Sequence, residues 1–390
     1  MARLDQTPFE IQITDLSHDG RGVARRADPK TPGAGKAIFV AGALLGETVV
    51  AQQTARHRHF DEARTLEVLV ASPDRVPARC PHFGTCGGCA LQHLDESKQI
   101  HVKQRVLLEN LERIGHVTPE SVLPPLVDAA WGYRRKGRFS VRRVEKKDKT
   151  LVGFREQDPR FVADLVECHT VMPEIGTKIA ALSALIDGMD GRRDIPQVEF
   201  IAGDDTIALV FRHLQPLSEH DQAALTAFAQ AHDFAIFLQP GGVDTVHPLW
   251  PHAPRLAFTL PLARTAGQVV GVEGDAGLIR RARENATHNG LDVEFHAADL
   301  AQDLSSHAWM RAGFDRLLLD PPRSGADVVL KQLPLGGLKR IVYVSCHPAS
   351  LARDAGFLVN ERGWKLRAAG VMDMFPHTAH VESIAMFEPR

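Results

Sequence analysis

No run of about eighteen apolar residues occurs anywhere in the 390-residue chain, and its opening stretch, MARLDQTPFEIQITDL, has no apolar core of the kind that directs export. No membrane span and no cleaved leader are expected, and the chain reads as cytoplasmic. It also lacks internal repeats and low-complexity tracts, so no fibrous or disordered class is indicated. A dominant charge of one sign is missing: the formal net charge is −2, which gives no global sign of nucleic-acid binding. Cysteine is scarce, at five residues, and an odd number without an export signal argues against a disulfide framework. Metal binding or catalysis is the better default for those thiols, with buried structural cysteines as the alternative. With 44% hydrophobic residues the chain is ordinary globular material, long enough for two or three domains.

Charge is nonetheless segregated. The segment YRRKGRFSVRRVEKKDK carries Arg134, Arg135, Lys136, Arg138, Arg142, Arg143, Lys146, Lys147 and Lys149, interleaved with Tyr133 and Phe139 and preceded by Trp131. That mixture suits phosphate contacts with base stacking, and a solvated basic strand is the alternative.

Residues 9 to about 70 alternate apolar and polar positions in short runs separated by Gly, Pro and Asp turns, which predicts a small β-barrel. Residues 95–114 predict a helix, with Val106, Leu107, Leu111 and Ile114 at helical spacing. From 125 to 255 strands and helices mix as in an α+β domain. From 256 onward VVGVEG, VEFHAAD, DRLLLDPP, RIVYVSCHP and SIAMFEP alternate with helical segments, which predicts a mostly parallel, doubly wound α/β sheet with its ligands at the carboxyl edge.

The run CPHFGTCGGC sets Cys80, Cys86 and Cys89 in a C-x5-C-x2-C pattern, and Cys168 in LVECHTV is the candidate fourth thiolate. Glycine turns between ligands let several sulfurs converge, and four thiolates fit either zinc or a [4Fe-4S] cluster.

Further on, LLLDPPRSG puts Asp320 at the end of a strand, YVSCHP delivers Cys346 to the same edge, and Glu382 precedes the last strand. A thiol and a carboxylate in one crevice suit chemistry at a pyrimidine C5: the thiolate adds to C6, C5 attacks an electrophilic methyl group, and a base removes the C5 proton. Methylation of an exocyclic amine instead favours an aromatic residue after DPP, where Arg323 stands. Glu273, ending VVGVEG, is placed to bind ribose hydroxyls, and Asp299 is placed toward an adenine. Each acid also reads simply as a residue at a helix N-terminus.

One absence stands out. VVGVEGD (Val269–Asp275) reads as the second strand of a nucleotide-binding unit, yet no first strand with a glycine-rich turn precedes it.

Taken together, these motifs resemble the bacterial 23S ribosomal RNA (uracil-5-)-methyltransferases of the RlmD (RumA-like) type over nearly the whole length. The resemblance implies an N-terminal TRAM (OB-like) RNA-binding barrel at 1–72. It implies a central α+β domain at 73–94 and 125–255 with an iron-sulfur site, and a Rossmann-like methyltransferase domain at 95–124 and 256–390. It implies S-adenosylmethionine as donor, with Glu273, Asp299 and Asp320 as cofactor contacts, Cys346 as nucleophile and Glu382 as base. It also implies a [4Fe-4S] cluster on Cys80, Cys86, Cys89 and Cys168, 23S ribosomal RNA as partner, and neither a membrane nor an obligate protein partner. Family members carry a strand and glycine-rich loop that this chain omits where Phe258-Thr259-Leu260-Pro261 joins the two sides. RLAFTLPLA is apolar enough to fill the empty lane. A catalytically impaired RNA-binding relative is therefore the second expectation; methylation of transfer RNA is a third, weakened by the barrel and the cysteine loop.

Overall fold

The computed structural model describes residues 6–25, 35–203, 206–251 and 262–390. The junction around Phe258, and with it the expectation that RLAFTLPLA fills a lane of the sheet, lies outside these residues.

The N-terminal strands are β1 (Phe9–Gln12), β2 (Asp15–Leu16), β3 (Gly22–Arg25), β4 (Ala37–Ala41), β5 (Thr48–Arg56) and β6 (Phe60–Val70). They form one sheet in the order β1-β5-β6-β4-β3-β2. Between β1 and β2 the chain bonds to both ends of that sheet: Ile13 N–H donates to the Glu47 carbonyl at 2.8 Å and Thr14 N–H to the Val23 carbonyl at 2.9 Å. Ile11, Ile13, Ile38, Val40 and Val49 fill the interior, because every second residue along each strand points inward.

The central sheet runs β13-β12-β11-β10-β8-β9. Its strands are β8 (Lys136–Val144), β9 (Lys149–Gly153), β10 (Gln197–Ala202), β11 (Ile207–Arg212), β12 (Phe234–Gln239) and β13 (His247–Trp250). Its core joins Phe139, Phe200 and Phe211 to Ile179, Leu182 and Ile186 of one helix and Leu225 of another. The segment PEIGTKIAALSALIDGM forms two helices, Pro173–Gly176 and Ile179–Asp187.

The C-terminal part holds two sheets. One contains only β14 (Val270–Glu273) and β15 (Glu294–Ala297), paired in parallel. The other, in the order β16-β17-β19-β18-β7, contains β7 (Ser121–Val122), β16 (Arg316–Leu319), β17 (Arg340–Ser345), β18 (Trp364–Met372) and β19 (Glu382–Pro389). Neither β14 nor β16 has a second neighbour among the described residues. A doubly wound sheet places its first strand between these two, and among the described residues no strand stands there. Both parts share one core, because Val270 and Val272 pack against the cluster that includes Leu319, Ile341 and Tyr343. Leu318 is 49% exposed, although a strand of a parallel sheet is normally covered on both faces. The strand WKLRAAGVM, β18, alternates only over Trp364–Arg367 and continues through Ala368, Ala369 and Gly370, residue types with little strand preference, so its sequence signal is weak.

Helix α1 (Glu96–Asn110) starts at an Asp95 cap, whose Oδ1 accepts the Ser97 N–H at 2.9 Å, and runs into a π-turn over Leu111–Gly115. It packs on the C-terminal core through Ile100, Leu107 and Leu111. Each buried leucine contributes about 1.5–3 kcal/mol. Close backbone approach fixes the packing: a Cβ on Gly115 would meet the Ala352 carbonyl oxygen at 2.4 Å, and one on Gly356 would meet the Gly115 carbonyl oxygen at 2.7 Å. Ile114, predicted for the apolar face, is 47% exposed because the π-turn rotates it outward. Gln99 and Lys103 take places on the buried face instead.

Candidate active site and cysteine cluster

Strands β17 and β19 are antiparallel neighbours whose terminal register pair is Ser345 with Ser383. Cys346 follows Ser345 and Glu382 precedes Ser383, so both stand next to this terminal pair, at one edge of the sheet. Strand β16 runs parallel to β17 with Leu319 beside Tyr343, which sets Asp320 at the same carboxyl edge. Cys346 is half-buried and Glu382 is buried. Burial pushes the Glu382 carboxyl above its usual range, and the neighbouring Asp320 charge adds to this; Arg323 and Lys103 pull the other way. A carboxylate with raised proton affinity is a better base than a solvated one.

The loop 320–326 after β16 is fixed by a buried acid. Asp354 Oδ2 accepts the Ala326 N–H at 2.7 Å and the Tyr343 hydroxyl at 2.6 Å. A second anchor is the Ser350 hydroxyl, which donates to the Arg323 carbonyl at 2.6 Å. The loop 373–381 before Glu382 is bound to α1 and to the cysteine segment, contacts that no periodicity argument could reveal.

Glu273 ends β14, Asp299 stands two residues past the end of β15, and Asp320 follows β16; all three are exposed. Glu273 Oε1 accepts the Asp275 N–H at 3.1 Å, and Asp299 Oδ1 accepts the Ala301 N–H at 2.9 Å. Glu273 and Asp299 stand at or just past the carboxyl ends of the β14–β15 pair, and Asp320 just past that of β16 in the other sheet.

Cys80, Cys86, Cys89 and Cys168 line one cavity together with Phe83, Phe154 and Leu165. Burial in this apolar wall pushes the Cys86 thiol up to about 11 and that of Cys89 to about 12, and raises Cys80 as well. The Gly88 N–H donates to Cys86 Sγ at 3.4 Å. No three cysteine sulfurs come within 4.8 Å of one another; among the described residues that closeness is reached by Asp190, His220 and Asp221. Those acids already serve as backbone caps: Asp221 accepts the N–H groups of Asp190 at 2.7 Å and Gly191 at 3.0 Å, and Asp190 accepts the Ser218 hydroxyl at 2.7 Å.

The basic segment is partly consumed inside the protein. Arg143 pairs with Asp187 at 2.6 Å and with Asp148, Lys149 pairs with Asp164 at 2.6 Å, and Arg138 lies 3.8 Å from Glu199. Phe139, proposed from sequence as a stacking platform, is fully buried because it falls on the inward phase of β8. Trp131 donates to Glu96 at 2.6 Å and stacks on His377 with centroids 3.9 Å apart, and Tyr133 donates to the Pro376 carbonyl at 3.1 Å. No helix of the described residues is long and apolar enough to cross a membrane.

Residues 256–390 match the family described as tRNA (Uracil-5-)-methyltransferase. The whole chain is 64% identical, over 442 aligned positions, to the 23S rRNA (uracil(1939)-C(5))-methyltransferase RlmD of Xanthomonas campestris pv. campestris, covering 100% of this chain and 99% of the relative. The chain belongs to the RlmD family of RNA (uracil-C5)-methyltransferases. The RlmD protein of Stenotrophomonas maltophilia is 62% identical with the same coverage. Because 442 aligned positions span only 390 residues here, at least 52 of those positions (442 − 390) fall opposite a gap in this chain. The fold also follows that of the Pyrococcus abyssi tRNA (uracil-54, C5)-methyltransferase, solved with S-adenosyl-L-homocysteine, at a TM-score of 0.70 and 22% identity over 97% of this chain and 99% of that one.

Proposed function

We propose that the chain methylates C5 of a uridine in 23S ribosomal RNA, the uridine for which its RlmD relatives are named. The observation that carries this reading is the pairing of Ser345 with Ser383, since Cys346 directly follows the one and Glu382 directly precedes the other. S-adenosylmethionine supplies an electrophilic methyl group. The Cys346 sulfur forms a bond to C6 of the uracil, and the electron pair of the 5,6 double bond moves onto C5 and O4. C5 takes the methyl group as the donor's sulfur–methyl bond breaks, and the demethylated donor leaves as a neutral thioether. Glu382 then accepts the C5 proton, the double bond re-forms, and the sulfur leaves as a thiolate. Since C5 and C6 are inaccessible in a stacked helix, the uridine must be looped or flipped out.

Glu273 and Asp299 suit the ribose and adenine of the donor, and Asp320 its edge nearest Cys346. The N-terminal six-stranded unit serves as a TRAM-like RNA-binding barrel, assisted by the exposed part of the basic segment; the domain limits are those expected from the sequence. Cys80, Cys86, Cys89 and Cys168 hold a [4Fe-4S] cluster. In support, four thiols converge on one apolar cavity that disfavours bare thiolates, and a bound metal supplies the positive charge that ionises them.

The test is transfer of labelled methyl groups to unmodified 23S RNA by anaerobically purified protein, with Cys346→Ala as control. Incorporation that vanishes in the variant supports the reading. Absence of incorporation with RNA binding retained identifies a chain that only binds RNA, which the interrupted sheet would explain.

A further inference from the structure

The nine residues between the end of β18 at Met372 and Glu382 carry the proposed base to its place, and they are held from outside the sheet. The Lys103 ammonium lies 2.6 Å from Asp373 Oδ1 and donates to the Phe375 carbonyl at 2.9 Å. One helical turn earlier, Gln99 Oε1 accepts the His377 N–H at 2.8 Å, while Gln99 Nε2 lies 3.2 Å from His377 Nδ1. The His377 carbonyl accepts the N–H groups of Ala90 at 2.8 Å and Leu91 at 2.9 Å, directly after Cys89. His377 adopts φ 64°, a left-handed conformation that a non-glycine residue keeps only where its surroundings impose it.

Lys103 is 2% exposed. A lysine at that depth loses its hydration, and an apolar side chain would fill the same space at lower cost. What the ammonium adds is a fixed three-way geometry between α1, Asp373 and the loop backbone. We propose that Lys103, with Gln99, is a positioning residue for the uracil-C5 reaction: it clamps loop 373–381 so that Glu382 meets the C5 proton. This rests on the reading of Glu382 as base. Its ammonium is also close enough to interact electrostatically with the Glu382 carboxylate. The clamp acts after methyl transfer, at the step in which Glu382 takes the proton and Cys346 leaves.

The experiment uses the full chain with a 23S RNA fragment and labelled S-adenosylmethionine, and resolves label in released RNA from label in a protein–RNA adduct that survives SDS. Lys103→Met is expected to raise the adduct-to-product ratio by roughly tenfold, part of the 10²–10⁴-fold that a general base provides, with the first methyl transfer little changed. Glu382→Gln is expected to accumulate the same adduct, and the double variant no more than Glu382→Gln alone. Asp373→Asn keeps the lysine and weakens the clamp, so it carries the test if Lys103→Met does not fold. Folded variants that partition label like the parent protein, or lose adduct and product in equal proportion, overturn the clamp. If Glu382→Gln itself releases product normally, the base assignment fails instead, and the two failures are told apart.

Discussion

The hydroxyl of Tyr343 and Oδ2 of Asp354 lie 2.6 Å apart in the interior of the C-terminal domain, and the same oxygen accepts the Ala326 N–H. Both residues are fully buried. Asp354 thereby joins the strand before Cys346 to the loop after Asp320. Asp354→Ala leaves two buried donors without a partner, at about 1–3 kcal/mol each, whereas Tyr343→Phe removes one bond at about 1 kcal/mol. Denaturant unfolding of the two variants should show this order; equal losses would count against the network.

Glu382 and Cys346 should fail differently. Cys346→Ala removes the bond to C6 and should abolish both product and adduct. Glu382→Gln preserves addition and methyl transfer, so label should remain attached to protein. Gel analysis of the two reactions separates them.

The raised proton affinity of Glu382 gives two pH signatures. As a base it must be ionised, so turnover should rise with pH through a value above the ordinary glutamate range. For stability the sign is opposite: the folded chain holds this proton more tightly than the unfolded chain, so Glu382 detracts from stability as pH climbs from the ordinary range through the raised value. Glu382→Gln should therefore melt higher than the parent near neutral pH, with the difference shrinking in acid. A constant difference across that window would refute the linkage.

Protein purified without oxygen should contain about four irons per chain. Cys89→Ser should lower that content and the associated visible absorbance. Stoichiometric zinc in place of iron would overturn the cluster assignment.

The interrupted sheet makes its own test. Inserting a family-length strand, glycine-rich turn and helix between Phe258 and Thr259 should tighten S-adenosylmethionine binding by about tenfold or more, since a helix N-terminus behind such a turn is what anchors this class of ligand. Calorimetric titration of the two chains reads it directly. Equal affinities would mean that the existing residues already complete the pocket.

Much of this molecule was legible in its sequence, for local reasons. Strand ends punctuated by DPP and SCHP located Asp320 and Cys346, and Cys80, Cys86 and Cys89, close together in a glycine loop, line one cavity. The absence of a first strand was equally visible, and the fold answers it with two sheets, β14–β15 and the five strands led by β16. What periodicity got wrong was the identity of buried residues. Ile114 turns outward on a π-turn, Phe139 lies in a core, and Gln99 and Lys103 fill the buried face of α1.

Those last residues mark the division. Composition, spacing and turn chemistry act between neighbours in the chain, and they determined the elements and the strand ends that Asp320 and Cys346 follow. Only the tertiary structure decided that Lys103 meets Asp373 across 270 residues and that the segment after Cys89 holds His377. A buried ammonium is stable only where the fold brings it a carboxylate and a carbonyl, and no local pattern in the sequence records where that partner will be.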